Sequence, residues 1–206
     1  SSNKELKLKI ISAQQVTDST LEFSNVAEND STEWTSAATF AADAKCMVTT
    51  TANGATIATH LVYKSIAGAN QGNDPSGTTG PDFWDVLEST NRFKMFDTTL
   101  QQQTQRVGGI NISLLPGKII TGLSVVNADC ETVIISMSDP TEGTVYNKTF
   151  NMVSDSGITS WYDYFFTPIV RDTDLAVLDL PPYSQASTAV SFTGSGDVKV
   201  GALVIG

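Results

Sequence analysis

The stretch that decides the fold is Thr132–Ser138, which reads TVIISMS. Its apolar residues Val133, Ile135 and Met137 take every second position, with an isoleucine and two serines between and after them. Successive side chains of a β-strand point to opposite faces, so this period of two places one set on a core face and the other outward. The stretch therefore predicts a β-strand that covers a buried core.

The same period recurs through the second half of the chain. Val190 and Phe192 alternate with hydroxyl residues, and Val198 and Val200 alternate with lysine and glycine before the pattern turns apolar on both faces. About eight short strands at a spacing of roughly 8–12 residues are typical of a β-sandwich or jelly roll. We place strands near Phe93–Phe96, Ile110–Leu114, Ile119–Val126, Thr132–Ser138, Thr144–Phe150, Ser160–Thr167, Asp174–Leu180, Ala186–Thr193 and Val198–Ile205.

Residues that favour tight turns separate the apolar runs. Asn53-Gly54 lies between Lys45–Thr50 and Thr56–Ser65. Because an Asn-Gly pair supplies the positive φ angles of a two-residue turn, it predicts a β-hairpin here. Pro116-Gly117 favours a type II turn, and Asp139-Pro140 opens a further loop.

A segment of small and polar residues divides the chain. Gly68–Pro81 consists mainly of Gly, Asn, Asp, Ser, Thr and Pro, which indicates a long loop or linker. We therefore expect an all-β protein with a small N-terminal β module over residues 1–80 and a jelly-roll-like β-sandwich over residues 81–206, the boundary falling between Gly68 and Asn91. Asp85–Gln105 lacks a clear period and has the propensity for a short helix.

Charge excludes two classes of partner. The chain has 206 residues, a net charge of −10 and only 12 Lys and Arg residues, which are scattered. Nucleic-acid binding and attraction to an anionic membrane both need clustered cations, so neither is expected. No apolar run approaches the about 20 residues that span a bilayer, and Ser1–Leu8 shows no signal-peptide pattern.

The residues that carry most enzyme chemistry are scarce. His60 is the single histidine, and it lies on a predicted strand at the opposite parity from Tyr63, which favours a surface position. A Ser-His-Asp or Cys-His arrangement would have to use it, and there is no G-x-S-x-G motif. Cys46 and Cys130 lie far apart without the spacing of a metal site, which favours two buried free thiols.

The acidic residues offer no defined pair. Glycoside hydrolysis needs two carboxylates that face each other across a groove, and nothing in the spacing places any two there. Asn70–Asp74 and Asp172–Asp174 offer oxygen ligands for calcium, but turn-forming Asx residues explain both segments equally well. The sequence therefore predicts no enzyme activity, no metal and no cofactor. Four acidic residues lie close together in the second half of the sequence: Asp163, Asp172, Asp174 and Asp179.

The aromatic residues are the best candidates for binding. An exposed ring stacks on the apolar face of a sugar while polar neighbours bond its hydroxyl groups. The same rings also suit a subunit interface or a core, and packing is favoured for each ring taken singly. The candidate glycan or interface aromatics are Trp34, Tyr63, Trp84, Trp161, Tyr162 and Tyr164, with Tyr183 as a further ring.

Several separated motifs, in the same order, resemble a pattern found in tailed-bacteriophage virion proteins. The resemblance covers most of the chain from Trp34 onward. The first half is also similar to small chitin-binding-type modules, with spaced tryptophans and a tyrosine. The motifs are the Trp34 segment WTS, HLVY (His60–Tyr63), GANQGNDP (Gly68–Pro75), Trp84 followed by TNRFKMFD (Thr90–Asp97), MSDPTEGTVYNKTF (Met137–Phe150), WYDYFFTPI (Trp161–Ile169), LDLPPY (Leu178–Tyr183) and the closing SFTGSGDVKVGALVIG (Ser191–Gly206).

The resemblance implies a structural component of the virion, located in the tail, baseplate or a fibre-attachment region. Such a protein acts through contacts with other virion tail proteins and with copies of itself. The alternative is a carbohydrate-binding module that contacts host surface glycan. Related phage proteins continue past the point that matches Gly206, so the chain is either a shorter relative or a fragment.

Overall fold

The computed structural model describes residues 11–50, 60–97, 99–154, 161 and 170–206, and they are almost entirely β-structure. Two 3₁₀ helices, Gly80–Asp82 and Lys94–Phe96, are the helical elements named among these residues. The strands in chain order are β1 (Leu21–Ser24), β2 (Thr39–Phe40), β3 (Lys45–Val48), β4 (Leu61–Ser65), β5 (Asn70–Gln71), β6 (Trp84–Ser89), β7 (Thr104–Val107), β8 (Ile110–Leu114), β9 (Leu123–Asp129), β10 (Thr132–Asp139), β11 (Gly143–Asn151), β12 (Val153–Ser154), β13 (Val170–Arg171), β14 (Leu175–Val177), β15 (Ser187–Thr193) and β16 (Asp197–Ile205).

The chain divides into two compact units. The module unit is Val26–Thr104, and the sandwich unit combines Ser1–Asn25 with Gln105–Gly206. The division expected between residues 80 and 81 falls inside the module unit, because β6 pairs with β4 there. The start of the chain belongs to the sandwich unit, because β1 pairs with β8. Both boundaries of the module unit are set by pairing between strands that are distant in sequence. Local composition therefore does not predict them.

The sandwich unit is built from two antiparallel sheets, as the sequence predicts. One is five-stranded in the order β1-β8-β15-β10-β11, and the other is four-stranded in the order β14-β9-β16-β7. The chain alternates between them, passing from β8 to β9, back to β10 and β11, and later from β14 to β15 and β16. The strands β12 and β13 form a separate pair.

Register in the five-stranded sheet puts the apolar set of β10 on one face together with the matching residues of its neighbours. Val133 lies opposite Phe192, and Ile135 lies opposite Val190. Both pairs are buried, as are the next residues along each row on β8, Ile110 and Ile112. The core of the sandwich is therefore formed by residues selected by strand parity. At about 25 cal/mol per Å² of apolar surface removed from water, this burial is the main stabilising term.

The strand predictions succeed where the apolar alternation is long. The strands β8, β10, β11, β15 and β16 lie within one or two residues of their expected bounds. The predicted strand at Phe93–Phe96 is wrong, because this segment forms turns that start at Thr90 and then a 3₁₀ helix. Asp85–Gln105, for which the sequence allows a short helix, contains most of β6 and the 3₁₀ helix Lys94–Phe96. The predicted strand at Ser160–Thr167 lies outside the described residues except for Trp161.

A shared irregularity in β9 and β16 explains why the last strand looks apolar on both faces. Asn127 has a φ of 56°, and its backbone N–H donates to Asp174 at 2.9 Å instead of continuing the ladder. Opposite it lies Gly201, between the paired residues Val200 and Ala202. On either side of this point the buried residues change parity in both strands. Both alternating sets of β16 thus contribute to the core.

The module unit has a three-stranded sheet, β3-β4-β6, and a two-stranded pair, β2-β5. The expected hairpin is confirmed in its strands, since Lys45 pairs with Lys64 and Val48 with Leu61, whereas the Asn53-Gly54 turn itself lies outside the described residues. The strands carry an apolar cluster, whose buried members are Phe40, Cys46, Val48, Tyr63 and Trp84.

The segment expected as a linker is an ordered part of the module unit. Asn70 is buried and donates to the Ser65 hydroxyl at 3.0 Å, and Asn73 donates to the Asn70 side-chain oxygen at 2.8 Å. The Asp74 carboxylate accepts from the hydroxyl of buried Ser76 at 2.7 Å. These side chains satisfy polar groups that the loop buries, which explains the presence of Asn70, Asn73 and Asp74 in it.

Among the described residues, no helix combines the length and the apolar character of a membrane span.

Replacing Gly201 tests the shared irregularity. A Cβ at this position would lie 2.8 Å from the Asn127 Cβ and 3.0 Å from the Val126 carbonyl oxygen. Gly201→Ala should therefore lower the free energy of unfolding by about 1–3 kcal/mol in a chemical denaturation experiment. Gly196→Ala is the matched control, because no atom lies within 4 Å of its added Cβ. Equal stability of the two variants would contradict a close contact at Gly201.

Candidate functional site

Three of the predicted aromatic residues come together in the module unit, but as part of its core. Tyr63 is 2% exposed and Trp84 is 3% exposed. Trp34 packs against them and is partly buried. The ring of Trp84 makes an edge contact with Phe40 at 5.0 Å between centroids, and its indole N–H donates to the Asn73 carbonyl at 2.9 Å. The Trp84 side chain thus has both its ring packed against Phe40 and its N–H group hydrogen-bonded.

This geometry corrects the interpretation of Tyr63 and Trp84 as ligand-contacting rings. A sugar can stack only on a ring face that water can reach, and neither ring offers one. Burial also raises the pKa of Tyr63 above its ordinary value. Both residues therefore act in packing, which is the interpretation that the sequence favours for each ring taken singly.

Trp161, in contrast to Tyr63 and Trp84, is exposed to solvent. It belongs to the sandwich unit, and its side chain is 80% exposed. Tyr162 and Tyr164, which the sequence analysis grouped with it, lie outside the described residues. Trp161 is therefore the predicted aromatic residue with the most accessible ring in the described part of the chain.

A second group of side chains lies along β11, one of the two edge strands of the five-stranded sheet. We call it the edge strip: Glu142, Tyr146, Lys148, Asp179 and Tyr183. The Tyr183 hydroxyl donates to the Glu142 carboxylate at 2.6 Å, and the Lys148 ammonium donates to Asp179 at 2.8 Å. Two contacts therefore fasten the segment before β15 along β11, and they hold one tyrosine ring and three charged groups at the surface.

Within the edge strip, charged groups lie close to aromatic side chains. The Lys148 ammonium lies 5.1 Å from the centroid of the Tyr146 ring, within cation–π range. Its hydrogen bond to Asp179 raises the pKa of Lys148. The hydrogen bond to Glu142 raises the pKa of Tyr183 above its ordinary value. Both shifts move the pKa further from neutral pH, so the Lys148 ammonium stays charged and the Tyr183 hydroxyl stays protonated.

The position of Lys148 has a structural explanation as well. Lys148 pairs with buried Ile135, so its side chain starts on the core side of the sheet. A charge that points inward on an edge strand discourages another strand from pairing there. Tyr183 and Asp179 are candidates from the sequence taken separately, but their grouping into a strip was not predicted. A lysine at a core parity of the predicted strand Thr144–Phe150 was the available signal.

His60 is buried in the module unit, so the expected surface position is wrong. It precedes β4 with a φ of 65°, and its ring stacks on Phe93 at 3.8 Å between centroids. The ring Nδ1 lies 2.6 Å from the Glu28 carboxylate, which also accepts from the Thr90 hydroxyl at 2.6 Å and the Arg92 guanidinium at 3.0 Å. The left-handed backbone conformation turns the side chain away from the direction that strand parity predicts.

Glu28 is the centre of this buried network, and its side chain is 7% exposed. Burial alone would raise its pKa, but the hydrogen bonds from His60 and Thr90, together with the charges of His60 and Arg92, hold the pKa below its usual value. A carboxylate stabilised in its charged form and enclosed by protein groups is an anchor for folding. It is not available to a ligand.

The other candidates for chemistry have structural roles. Both thiols are free and buried, as predicted, and burial raises the pKa to about 12 for Cys46 and about 11 for Cys130. Among the described residues, no group of three or more His, Cys, Asp or Glu side chains is placed to hold a metal ion. In the two proposed calcium segments, Asp74 accepts from Ser76 and Asp174 accepts from Asn127.

The structure thus defines an all-β protein with a β-sandwich unit, a small β-module unit, an exposed tryptophan and a polar strip at a sheet edge. No protein-family model matches the chain. No curated protein matches it either.

Three solved structures are similar to just over half of the chain. Chitosan-binding module 1 from the chitosanase/glucanase of Paenibacillus sp. IK-5 shares 9% identity, covering 55% of this chain and 82% of that one at a TM-score of 0.36. A selenomethionine-labelled mutant of that module shares 8%, covering 55% and 81% at 0.34. CpGH89CBM32-6 from Clostridium perfringens shares 11%, covering 56% and 84% at 0.34. Likeness at this level assigns no function to the chain.

Acid titration tests the Glu28 network. Because the folded pKa of Glu28 lies below its unfolded value, its contribution is present above the ordinary glutamate pKa of about 4.3 and is lost as pH falls through the folded value. Glu28→Gln should lower the free energy of unfolding at pH 7 by about 1.5–3 kcal/mol and flatten the loss of stability in acid. Urea denaturation at several pH values measures both effects.

Asp85→Asn is the matched control, because Asp85 is an exposed carboxylate in the same unit. Its stability should stay within about 0.5 kcal/mol of the wild type at every pH. An acid dependence of Glu28→Gln identical to that of the wild type would contradict the role given to Glu28.

Proposed function

We propose that the chain is a non-catalytic binding module whose sandwich unit contacts host surface glycan, with Trp161 as the stacking ring. The observation that carries the proposal is the 80% exposure of this large aromatic side chain. Leaving an indole in water forfeits burial worth several kcal/mol, so an exposed tryptophan is informative when the other two are packed. Sugar rings present apolar C–H faces that match an indole in size and flatness.

The edge strip supports the same function with complementary chemistry. A glycan needs donors and acceptors for its hydroxyl groups as well as a ring to stack on. Tyr183 offers a ring whose hydroxyl is already fixed by Glu142, and Lys148 and Asp179 offer a donor and an acceptor that remain half-exposed. The Pro181-Pro182 pair between Asp179 and Tyr183 limits the backbone freedom of the segment, which reduces the entropy lost on binding.

The proposal includes no catalytic step. Glycoside hydrolysis uses one carboxylic acid that donates a proton and one carboxylate opposite it. In the edge strip, Glu142 already accepts from Tyr183, and Asp179 is paired with Lys148. Both acids therefore have roles as partners that orient other groups.

A glycan array that carries bacterial surface polysaccharides tests this function. Calorimetric titration with a polysaccharide that binds on the array then measures the affinity. Trp161→Ala should weaken binding at least about tenfold, since loss of about 1.4 kcal/mol of stacking corresponds to that factor. Trp161→Phe should retain part of the affinity because it keeps a ring. Ile119→Ala is the control, because it removes an apolar side chain from the same unit that is 51% exposed.

Two outcomes would count against glycan binding through Trp161. One is Trp161→Ala binding as tightly as the wild type. The other is the absence of any bound polysaccharide at millimolar sugar concentration.

A second function is compatible with the first: we propose that the chain is a structural component of a tailed-phage virion in its tail, baseplate or fibre attachment. Its support is the ordered set of motifs that resemble such proteins, together with a weakly charged composition in which 17% of the residues are charged. It would act through contacts with other tail proteins.

Mass spectrometry and immunogold labelling of purified phage particles test this placement. The chain should be present at a constant stoichiometry per particle and be labelled at the tail, because a structural component cannot exchange freely. Particles washed in high salt serve as the control for adsorbed protein. Absence of the chain from washed particles would exclude the structural function and leave glycan binding untouched.

A further inference from the structure

Two buried hydroxyl groups lack a hydrogen-bond partner in the part of the chain that the structure describes, those of Tyr146 and Thr188. Both side chains belong to one row across the five-stranded sheet, because Met137 on β10 pairs with Tyr146 on β11 and with Thr188 on β15. All three residues are buried. An unpaired buried polar group destabilises a fold, so each of the two hydroxyl groups needs an explanation.

The Thr188 hydroxyl group is enclosed by the core. Its strand β15 is flanked by β10 and β8, and its paired residues Met137 and Leu114 are both completely buried. Thr188 itself has no exposed surface. A ligand therefore has no access to this hydroxyl group in the folded sheet, and Thr188 forms no site.

Tyr146 has a different environment, because it lies on an edge strand and is 9% exposed. The Lys148 ammonium lies over its ring, 5.1 Å from the centroid, and donates to the Asp179 carboxylate at 2.8 Å. The side chains of Lys148 and Asp179 are 49% and 61% exposed. The buried Tyr146 side chain is therefore next to an ion pair that faces solvent.

The Tyr146 hydroxyl group is a donor without an acceptor. An ammonium group only donates hydrogen bonds, so Lys148 cannot accept the phenolic proton. Burial and the charge of Asp179 raise the pKa of Tyr146, so its hydroxyl group stays protonated at neutral pH. Among the described residues, the proton of this hydroxyl group has no hydrogen-bond acceptor.

We propose that the edge strip is a subsite for one neutral sugar residue, and that the Tyr146 hydroxyl group donates to a hydroxyl group of that sugar. The inference rests on the glycan binding proposed above and specifies the class of sugar. A sugar hydroxyl group both accepts and donates, so it can accept the proton of Tyr146 and donate to Asp179. An exposed ion pair contributes little stability, so the Lys148 side chain moves aside for the sugar at small cost.

The charges of the edge strip select against ionised sugars. The strip has two carboxylates, Glu142 and Asp179, and one ammonium, that of Lys148, and the whole chain has a net charge of −10. A uronic acid would bring a further carboxylate toward this negative surface. The ammonium group of an amino sugar cannot accept from Tyr146, and it would be repelled by Lys148. A neutral sugar avoids both conflicts.

Nuclear magnetic resonance of the full chain with isotope-labelled tyrosine rings tests the subsite. The probes are the methyl glycosides of glucose, galactose and mannose, and those of glucuronic and galacturonic acid. The signals of Tyr146 and Tyr183 should shift saturably with at least one neutral glycoside, whereas Tyr63, which is buried in the module unit, should not respond. The uronic acid glycosides should bind at least about tenfold more weakly, because they add a negative charge.

Two variants, each of which removes one of the unpaired hydroxyl groups, separate binding from folding. Tyr146→Phe should weaken binding of the neutral glycoside at least about fivefold, measured at the Tyr183 signal, because the donor is lost. Thr188→Val removes the enclosed hydroxyl group and should bind the glycoside like the wild type. Neither hydroxyl group has a partner to lose within the described residues, so both variants should unfold at the wild-type temperature or above it.

Three results would overturn the inference. The first is no shift of the Tyr146 signal with any neutral glycoside up to about 100 mM. The second is unchanged glycoside binding by Tyr146→Phe, which is expected if an ordered water molecule is the only partner of the hydroxyl group. The third is a uronic acid glycoside that binds as tightly as its neutral counterpart.

The same measurements distinguish the subsite from stacking on Trp161. If Trp161→Ala loses polysaccharide binding but the Tyr146 signal never shifts, the subsite is excluded and the glycan-binding function stands. If the Tyr146 signal shifts but Trp161→Ala binds polysaccharide like the wild type, the subsite is supported and stacking on Trp161 is contradicted.

Discussion

Hydrogen bonding of β15 on both sides is the constraint on which the sandwich depends. Because β8 and β10 pair with it, none of its residues can rotate independently, and the period of two becomes a division between two surfaces. Val190 and Phe192 must enter the core, and Ala189 and Ser191 must face outward. A shift of one residue would exchange the two sets and bury hydroxyl groups without partners, at a cost of about 1–3 kcal/mol each. The core face and the outer face of the sheet are therefore fixed by one register.

The module unit is stabilised by different interactions, because its strands are shorter and its core is smaller. It supplements the apolar cluster with buried polar groups: Glu28 ties together residues from separate turns, and Asn70 closes a loop against β4. Such networks stabilise only when every member is satisfied, and a single missing partner leaves a buried charge. The unit thus depends on a few specific contacts, whereas the sandwich depends on many similar ones.

The sequence predicts the strands whose apolar residues alternate over many positions. It does not predict features that depend on pairing between strands distant in sequence. The strands β8, β10, β11, β15 and β16 followed from alternation, since each has one clearly apolar face. The short strands β1 and β7 carry too few residues for a period to appear, and the assignment of residues 1–25 to the sandwich unit followed only from pairing. His60 was placed wrongly because its partner Glu28 is 32 residues away and its φ is positive.

Residue type selected the aromatic candidates, but exposure is a property of their neighbours. Trp84 and Trp161 are equally suited to stacking by chemistry, yet one lies against Phe40 and donates to a carbonyl while the other meets water. The edge strip shows the same dependence, because Lys148 occupies a core parity on β11, one of the two edge strands of the sheet. In both cases the neighbours that the fold supplies, and not the residue type, decide whether a side chain is enclosed or reaches solvent.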